Sequence, residues 1–369
     1  MAALRTPVGT RGGALAHVHA AGLAAPVLAR LAAAVPDVPV REVVLGNCTG
    51  PGGDLARVAA LEAGLPVEVP ALTVDRQCGS GLAAVDVASA LLQRSPGLVL
   101  AGGVESASTA PVRSWPGDPP RPYARAPFAP AAIGDPEMGW AADVLAERAG
   151  VARDRQDAYA ARSHRLAASV RDAGGFDDEV VALAGVRRDE RPRHGLGPER
   201  LARLRPAFRS AAEGGTVTAG NACGVNDGAA AVALVDAQTH ARLGLPGLRV
   251  LATATAGVHP ELPGLGLVPA VLQALDAAGV RLDDVDLVEL NEAFAGQVLA
   301  CCDALGLDPD RVCREGGALA LGHPWGASGA ILVVRLFSQL VRHDRGRLGL
   351  AAVAVGGGQG VAAVVERCR

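Results

Sequence analysis

Short apolar runs alternate with stretches of helical spacing early in the chain, and the same alternation returns near its end. Residues 42–45, 72–74 and 98–101 are apolar runs of strand length, and residues 55–63 and 82–92 between them repeat apolar side chains at helical spacing. Strand, helix and strand in succession predict an α/β fold with a largely parallel sheet, because parallel neighbours need a crossover and the crossover helices cover both faces. Residues 287–290 and 351–355 then read as strands, and 294–305 and 330–341 as helices. The two blocks share wording. Gly79-Ser80-Gly81-Leu82-Ala83 opens one helix and Ala327-Ser328-Gly329-Ala330 another, and each is followed by an apolar strand running into adjacent glycines, Gly102-Gly103 and Gly356-Gly357-Gly358. The pattern predicts an internal duplication, two α/β halves placed back to back.

Composition narrows the chemistry. The chain has 369 residues, half of them hydrophobic and a fifth charged, which suits a globular protein of two or three units at roughly 150 residues per domain. All 35 basic residues are arginine. The absence of lysine removes Schiff-base chemistry on lysine, a pyridoxal anchor and a phosphate-loop lysine. A net charge of −3 with both signs interspersed gives no reason to expect nucleic acid or an anionic membrane as partner. Arg5 and Arg11 precede an apolar stretch that imitates a signal peptide, but His17, His19, Pro26 and Arg30 interrupt it. Glycines break up the greasiest run, 348–365, before it could span a membrane. Seven cysteines, an odd number with no CxxC spacing, argue against a disulfide scaffold or a metal centre and for a reducing, cytoplasmic setting.

Between the halves the texture changes. Residues 111–136 are dense in Pro, Ala and Arg and read as an irregular surface excursion, with helical signal resuming at 138–149 and 154–168. Residues 187–205 form an arginine-rich loop, either a solvated face or a surface that meets phosphate.

Four segments carry chemistry. Val74-Asp75-Arg76-Gln77-Cys78-Gly79-Ser80-Gly81-Leu82 places a thiol where a strand ends and a helix begins, between glycines that admit a close ligand. At a helix N-terminus the dipole and free N–H groups favour the thiolate, so a lowered pKa and a nucleophile are expected there. The competing reading is a small buried core residue, cysteine being among the most buried types. His323 sits in a glycine-rich loop that opens a helix in the duplicate position, and imidazole can activate a thiol. Asn291-Glu292-Ala293-Phe294 follows a buried strand, where doubly wound sheets place ligand-binding side chains. Val355-Gly356-Gly357-Gly358-Gln359-Gly360 lacks dinucleotide spacing and so offers exposed backbone N–H donors instead.

In order, spacing and wording these segments resemble the thiolase family of acyl-CoA C-acyltransferases, and the likeness spans nearly the whole chain. Arg5-Thr6-Pro7, Ala101-Gly102-Gly103-Val104-Glu105-Ser106, Leu204-Arg205-Pro206-Ala207-Phe208 and Thr216-Val217-Thr218-Ala219-Gly220-Asn221-Ala222 are similar to the family as well. The resemblance implies a duplicated five-layered αβαβα fold: an N-terminal half from residues 1–110 and 206–245, an inserted loop domain for CoA binding and oligomerisation at 111–205, and a C-terminal half at 246–369. It also implies a homodimer or homotetramer, acyl-CoA thioesters as substrates, no tightly bound cofactor and no metal. By the same resemblance Cys78 takes the acyl group and His323 activates it. His323 and a water held by Asn291 line one oxyanion site, and the N–H groups of Cys78 and Gly356 line the other. Ala219, Ala293 and Phe294 line the pantetheine channel, Cys223 stands where the family's CoA-contacting serine does, and Met138 lies near the acyl end.

The departures from the family matter as much. Its second cysteine, the acid and base at the carbon that gains or loses a bond, is replaced by Ala354. Glu137 stands for a histidine of short-chain members and Glu315 for an asparagine, and the front of the first strand is expected to be missing. Three readings follow. The chain is a thiolase whose proton carrier is replaced by Cys223 or Glu292; or a thiolase-fold acyltransferase that loads Cys78 and then serves another nucleophile or condenses decarboxylatively with a malonyl unit; or a non-catalytic subunit. The remaining cysteines (Cys48, Cys301, Cys302, Cys313, Cys368) and histidines are expected to be structural.

Overall fold

A computed structural model describes residues 3–368. The first sheet runs in the order Ala3–Arg5, Asn226–Val235, Leu98–Ser106, Val40–Gly46, Ala71–Val74, with the short strand Gly9–Thr10 also pairing with Asn226–Val235. The second runs Leu287–Leu290, Leu348–Val355, Gln359–Cys368, Gly247–Gly257. The expected strands and crossover helices of both halves are present. The sheets, however, are mixed rather than largely parallel. Val40–Gly46 is parallel to both of its neighbours and Leu287–Leu290 to Leu348–Val355, whereas Asn226–Val235, Gln359–Cys368 and Gly247–Gly257 pair antiparallel. The apolar run 348–365 is a hairpin folded at Gly356-Gly357-Gly358, with Gly357 and Gly358 at φ of 82° and 78°.

The helices complete five layers. Ala20–Ala33 and Leu55–Glu62 cover the outer face of the first sheet, and Leu267–Ala278 and Ala295–Leu305 that of the second. Ser80–Arg94 and Trp325–Phe337 form the central layer between the sheets, in one apolar cluster with Val44, Ala101, Ala230, Ala351 and Val361. The second of these helices begins five residues before the expected 330, and its expected last turn is a π-turn, Ser338–Arg342. Residues 111–136 are not wholly irregular, since Arg113–Trp115 pairs with Arg121–Tyr123. The expected loss of the front of the first strand concerns positions ahead of Ala3, outside the described residues.

The repeated Ser-Gly wording has a packing cause. A Cβ on Gly81 would lie 2.8 Å from Ala330 N, and one on Gly329 would overlap Leu82 N, so the two central helices cross with backbones in contact. Their N-termini are thereby brought together, and with them the Cys78 turn and the His323 loop. Gly329→Ala is expected to destabilise the fold by ~1–3 kcal/mol or more through overpacking. Urea denaturation reads this directly, and an unchanged midpoint would mean that the helices have room between them.

Buried charges tie the remote segments to this frame. Arg5 pairs with Glu179 and Asp189, both at 2.7 Å, and Arg335 on the central helix pairs with Glu179 and Glu315. Glu315, read from sequence as a departure, has a specific partner in Arg335.

Candidate active site

Cys78 follows a turn held by its own polar groups. Gln77 adopts φ 43°, the Asp75 carboxylate accepts from Gln77 N at 2.7 Å, and Ser80 Oγ accepts from Arg76 N at 2.8 Å while donating to Gln77 O at 2.6 Å. The turn leaves Cys78 half-buried on the wall of a cavity of about 420 Å³. The backbone N–H groups of Gly356 and of Cys78 itself act to lower the pKa of this thiol. Desolvation nonetheless outweighs these donors and pushes the thiol up to about 12. The helix N-terminus was expected to lower the thiol pKa; burial reverses the sign, so the resting group is a thiol that needs a base.

The base is on the same wall. His323 is buried, its backbone N–H donating to Asn226 Oδ1 at 2.9 Å, and burial lowers its pKa to about 3, so the imidazole is neutral. Its Nδ1 lies 2.6 Å from Ser328 Oγ, which donates to Pro324 O at 2.9 Å. A hydroxyl has one proton to give. With that proton on Pro324 O, Nδ1–H is the donor to Ser328 and Nε2 keeps its lone pair. Asn291 Nδ2 stands 3.3 Å from His323 Nε2, in direct contact. Because the imidazole pKa is depressed, lowering the pH from 7.5 to 5.5 is expected to leave the rate of acyl loading at Cys78 within about twofold. A histidine at its ordinary pKa would show a sigmoidal loss near pH 6.5, and stopped-flow mass analysis distinguishes the two.

Glu105 locks these loops together. Its buried carboxylate accepts from Cys48 N (3.2 Å), Thr49 N (3.1 Å) and Thr49 Oγ1, and from Gly326 N (3.0 Å) just past His323. Burial raises its pKa against these donors.

Of the residues singled out from sequence, Cys78, His323, Gly356, Met138, Cys223, Ala293 and Phe294 all line the one cavity, as does Ala354. Asn291 is buried behind it and reaches the cavity through His323. Ala219 does not join them. It is exposed, because Asn221 turns inward to bond Asp157 Oδ1 (2.9 Å) and Thr216 O (3.0 Å) and leaves Ala219 on the outside of the bend. Glu292 is not on the cavity either: its carboxylate is buried and accepts from Tyr159 OH (2.9 Å), Ser163 Oγ (2.7 Å) and Leu319 N (3.1 Å), which makes it a clamp for the His323 loop. Sequence reasoning passed over Ser328, Asn226, Phe128 and Cys48. Ser328 was the most accessible of these, sitting five residues after the histidine at the start of a helix. Phe128 closes over Gly356, where a Cβ would meet its ring at 2.7 Å, and Cys48 joins the cavity wall with its thiol donating to Gln77 O at 3.1 Å. Among the described residues no group of three His, Cys, Asp or Glu side chains could hold a metal ion.

Residues 1–238 match the family model for the thiolase N-terminal domain, and residues 246–367 that for the thiolase C-terminal domain. The chain belongs to the thiolase family. Its relatives include the acetyl-CoA acetyltransferase of Pseudomonas aeruginosa, 43% identical over 100% of this chain and 98% of that protein, and that of Escherichia coli, 40% identical over 100% and 98%. The crystal structure of the Bacillus anthracis acetyl-CoA acetyltransferase superposes with a TM-score of 0.91 at 38% identity, covering 100% of this chain and 98% of the other. The thiolase fold that the family resemblance implied is thus present. No helix among the described residues is long and apolar enough to cross a membrane.

Proposed function

We propose that this thiolase-family chain is an acyl-CoA C-acyltransferase that forms or cleaves 3-ketoacyl-CoA through an acyl-Cys78 intermediate. The observation that carries the reading is the convergence of the Cys78 thiol, the neutral His323 imidazole and the Gly356 N–H on one cavity. In the loading step Cys78 Sγ attacks the thioester carbonyl as its proton passes to His323 Nε2. The negative charge on the carbonyl oxygen falls beside the N–H groups of Cys78 and Gly356, donors each worth ~3 kcal/mol in acyl transfer. Collapse of the tetrahedral adduct expels the CoA thiolate, which takes the proton back from His323. The His323–Asn291 pair serves the second oxyanion, the enolate of the acceptor.

The second half-reaction must move a proton at carbon, and Ala354 has none to move. Among titratable groups on the wall, Cys223 is the carrier we propose, with the Arg191 guanidinium packed on Gly224 opposing the rise that burial imposes on its thiol. Cys223→Ser is expected to lower carbon–carbon turnover by ~10²-fold or more while Cys78 still loads; unchanged turnover would remove Cys223 from the mechanism. The alanine itself favours a second reading, transfer to another nucleophile or decarboxylative condensation, in which losing carbon dioxide generates the carbanion without a base. A chase of loaded enzyme separates them. Ketone formed with a second acetyl-CoA, or thiolysis of a 3-ketoacyl-CoA with CoA, supports the first reading, and ketone formed with malonyl-CoA alone supports the second. We further propose a cytoplasmic homodimer or homotetramer in which residues 111–205 form the loop domain that holds CoA, set between an N-terminal half of residues 1–110 and 206–245 and a C-terminal half of residues 246–369.

A further inference from the structure

Behind the His323 loop lies a second, much smaller cavity of about 20 Å³. Glu289, Asn291, Ala318, Ser328 and Arg335 form part of its wall, none of them more than 7% exposed. Two of these side chains each keep one polar atom without a hydrogen-bond partner in the protein, Asn291 Oδ1 and Arg335 Nε. Their other polar atoms are engaged: Asn291 Nδ2 lies at His323 Nε2, and the terminal nitrogens of Arg335 bind Glu179 and Glu315. One orphan is an acceptor and the other a donor. Leaving either unpaired in the interior is unfavourable. A cavity holds a water once roughly 10–15 Å³ is open to it and two to four polar groups surround it; the volume suffices here, and the polar residues Glu289, Asn291, Ser328 and Arg335 are part of its wall.

We propose that an ordered water fills this cavity, accepting from Arg335 Nε–H and donating to Asn291 Oδ1 and to the Glu289 carboxyl group, and that it fixes which way the Asn291 amide faces. An amide group is nearly symmetric in shape, so only its hydrogen-bond partners decide whether the NH₂ or the oxygen is presented. With the water donating to Oδ1, the NH₂ is turned to His323 and to the place where an oxyanion forms. A flipped amide would present an acceptor there and repel the developing charge. Arg335 and Glu289 are therefore positioning residues, acting through the water on Asn291, and Glu315 is the anchor that keeps Arg335 in place. The inference rests on the proposed reading of Asn291 and His323 as an oxyanion site.

Two measurements test it. In a high-resolution crystal structure of the full chain, a water peak within hydrogen-bond distance of both Asn291 Oδ1 and Arg335 Nε is expected. Empty density, or a direct contact between those two atoms, overturns the proposal. The second measurement leaves every charge in place and fills the cavity from its apolar side. Ala318→Val is expected to displace the water and to lower kcat for condensation of two acetyl-CoA molecules by about 10²-fold, the loss seen when one oxyanion donor is removed, with KM and the rate of acyl loading at Cys78 unchanged. Ala318→Ser, which offers a hydroxyl in the same place, is expected to recover most of that rate. A wild-type kcat in a folded Ala318→Val chain sinks the idea, and should the variant not fold the crystal structure decides alone. Failure of the functional reading looks different: the wild-type chain then never acquires an acyl group, whether or not the water is present.

Discussion

Ala354→Cys is expected to raise the rate of carbon–carbon bond formation from acetyl-CoA by about 10²–10⁴-fold, the range over which a positioned acid or base acts. The position lies on the strand Leu348–Val355, two residues before the glycine turn that carries the Gly356 N–H, and its side chain faces the cavity shared with Cys78. A thiol added there extends into open cavity rather than into packed core, so little stability is at stake. Acyl loading of Cys78 is expected to stay at its wild-type rate, because neither the Cys78 turn nor the His323 hydrogen bonds involve Ala354. The comparison is between two rates on one variant, loading read by quenched-flow mass analysis and condensation read by product formation. Gain in condensation alone shows that a thiol at position 354 carries the proton better than Cys223 does. If both rates stay flat, a thiol at position 354 is not what condensation needs, and either Cys223 carries the proton or the decarboxylative reading is the better account.

Removing the base has the second large effect. His323→Ala is expected to slow acyl loading by about 10²–10⁴-fold at neutral pH. The thiol, held up near 12 by burial, has no other neutral base beside it on the cavity wall. The slowed reaction should accelerate as pH rises, since hydroxide or a thiolate formed by titration must do what the imidazole did, whereas the wild-type rate stays flat over the same range. A His323→Ala chain that loads at the normal rate would show that the imidazole is a structural group, held by Ser328 and Asn226 for the sake of its loop.

Much of this was legible in the chain itself. The strand residues 287–290 and the helical spacing of 82–92 read correctly because each follows one local period, and the positions of Cys78 and His323 at the heads of the central helices followed from the repeated Ser-Gly wording. Asn226–Val235 and Gln359–Cys368 escaped notice because apolar strands buried on both faces over most of their length show no alternation. Their antiparallel pairing is a property of the tertiary fold. The sign of the Cys78 shift was lost for a similar reason: the helix terminus is visible in sequence, but the walls contributed by the other half and by Phe128 are not. Ala219 lies off the cavity wall because the Asn221 bonds to Asp157 and Thr216 leave it on the exposed side of the bend, a side the motif does not specify. Glu292 looked like a free acid beside a key asparagine until Tyr159 and Ser163, from a helix far away in sequence, were seen to occupy it.

The most direct test is the intact mass of the full chain after incubation with acetyl-CoA, followed by peptide mapping. The account requires one added acetyl group, carried by Cys78, and its disappearance in Cys78→Ala. A chain that gains no mass, or one whose acetyl group maps to Cys48 or Cys223, contradicts it.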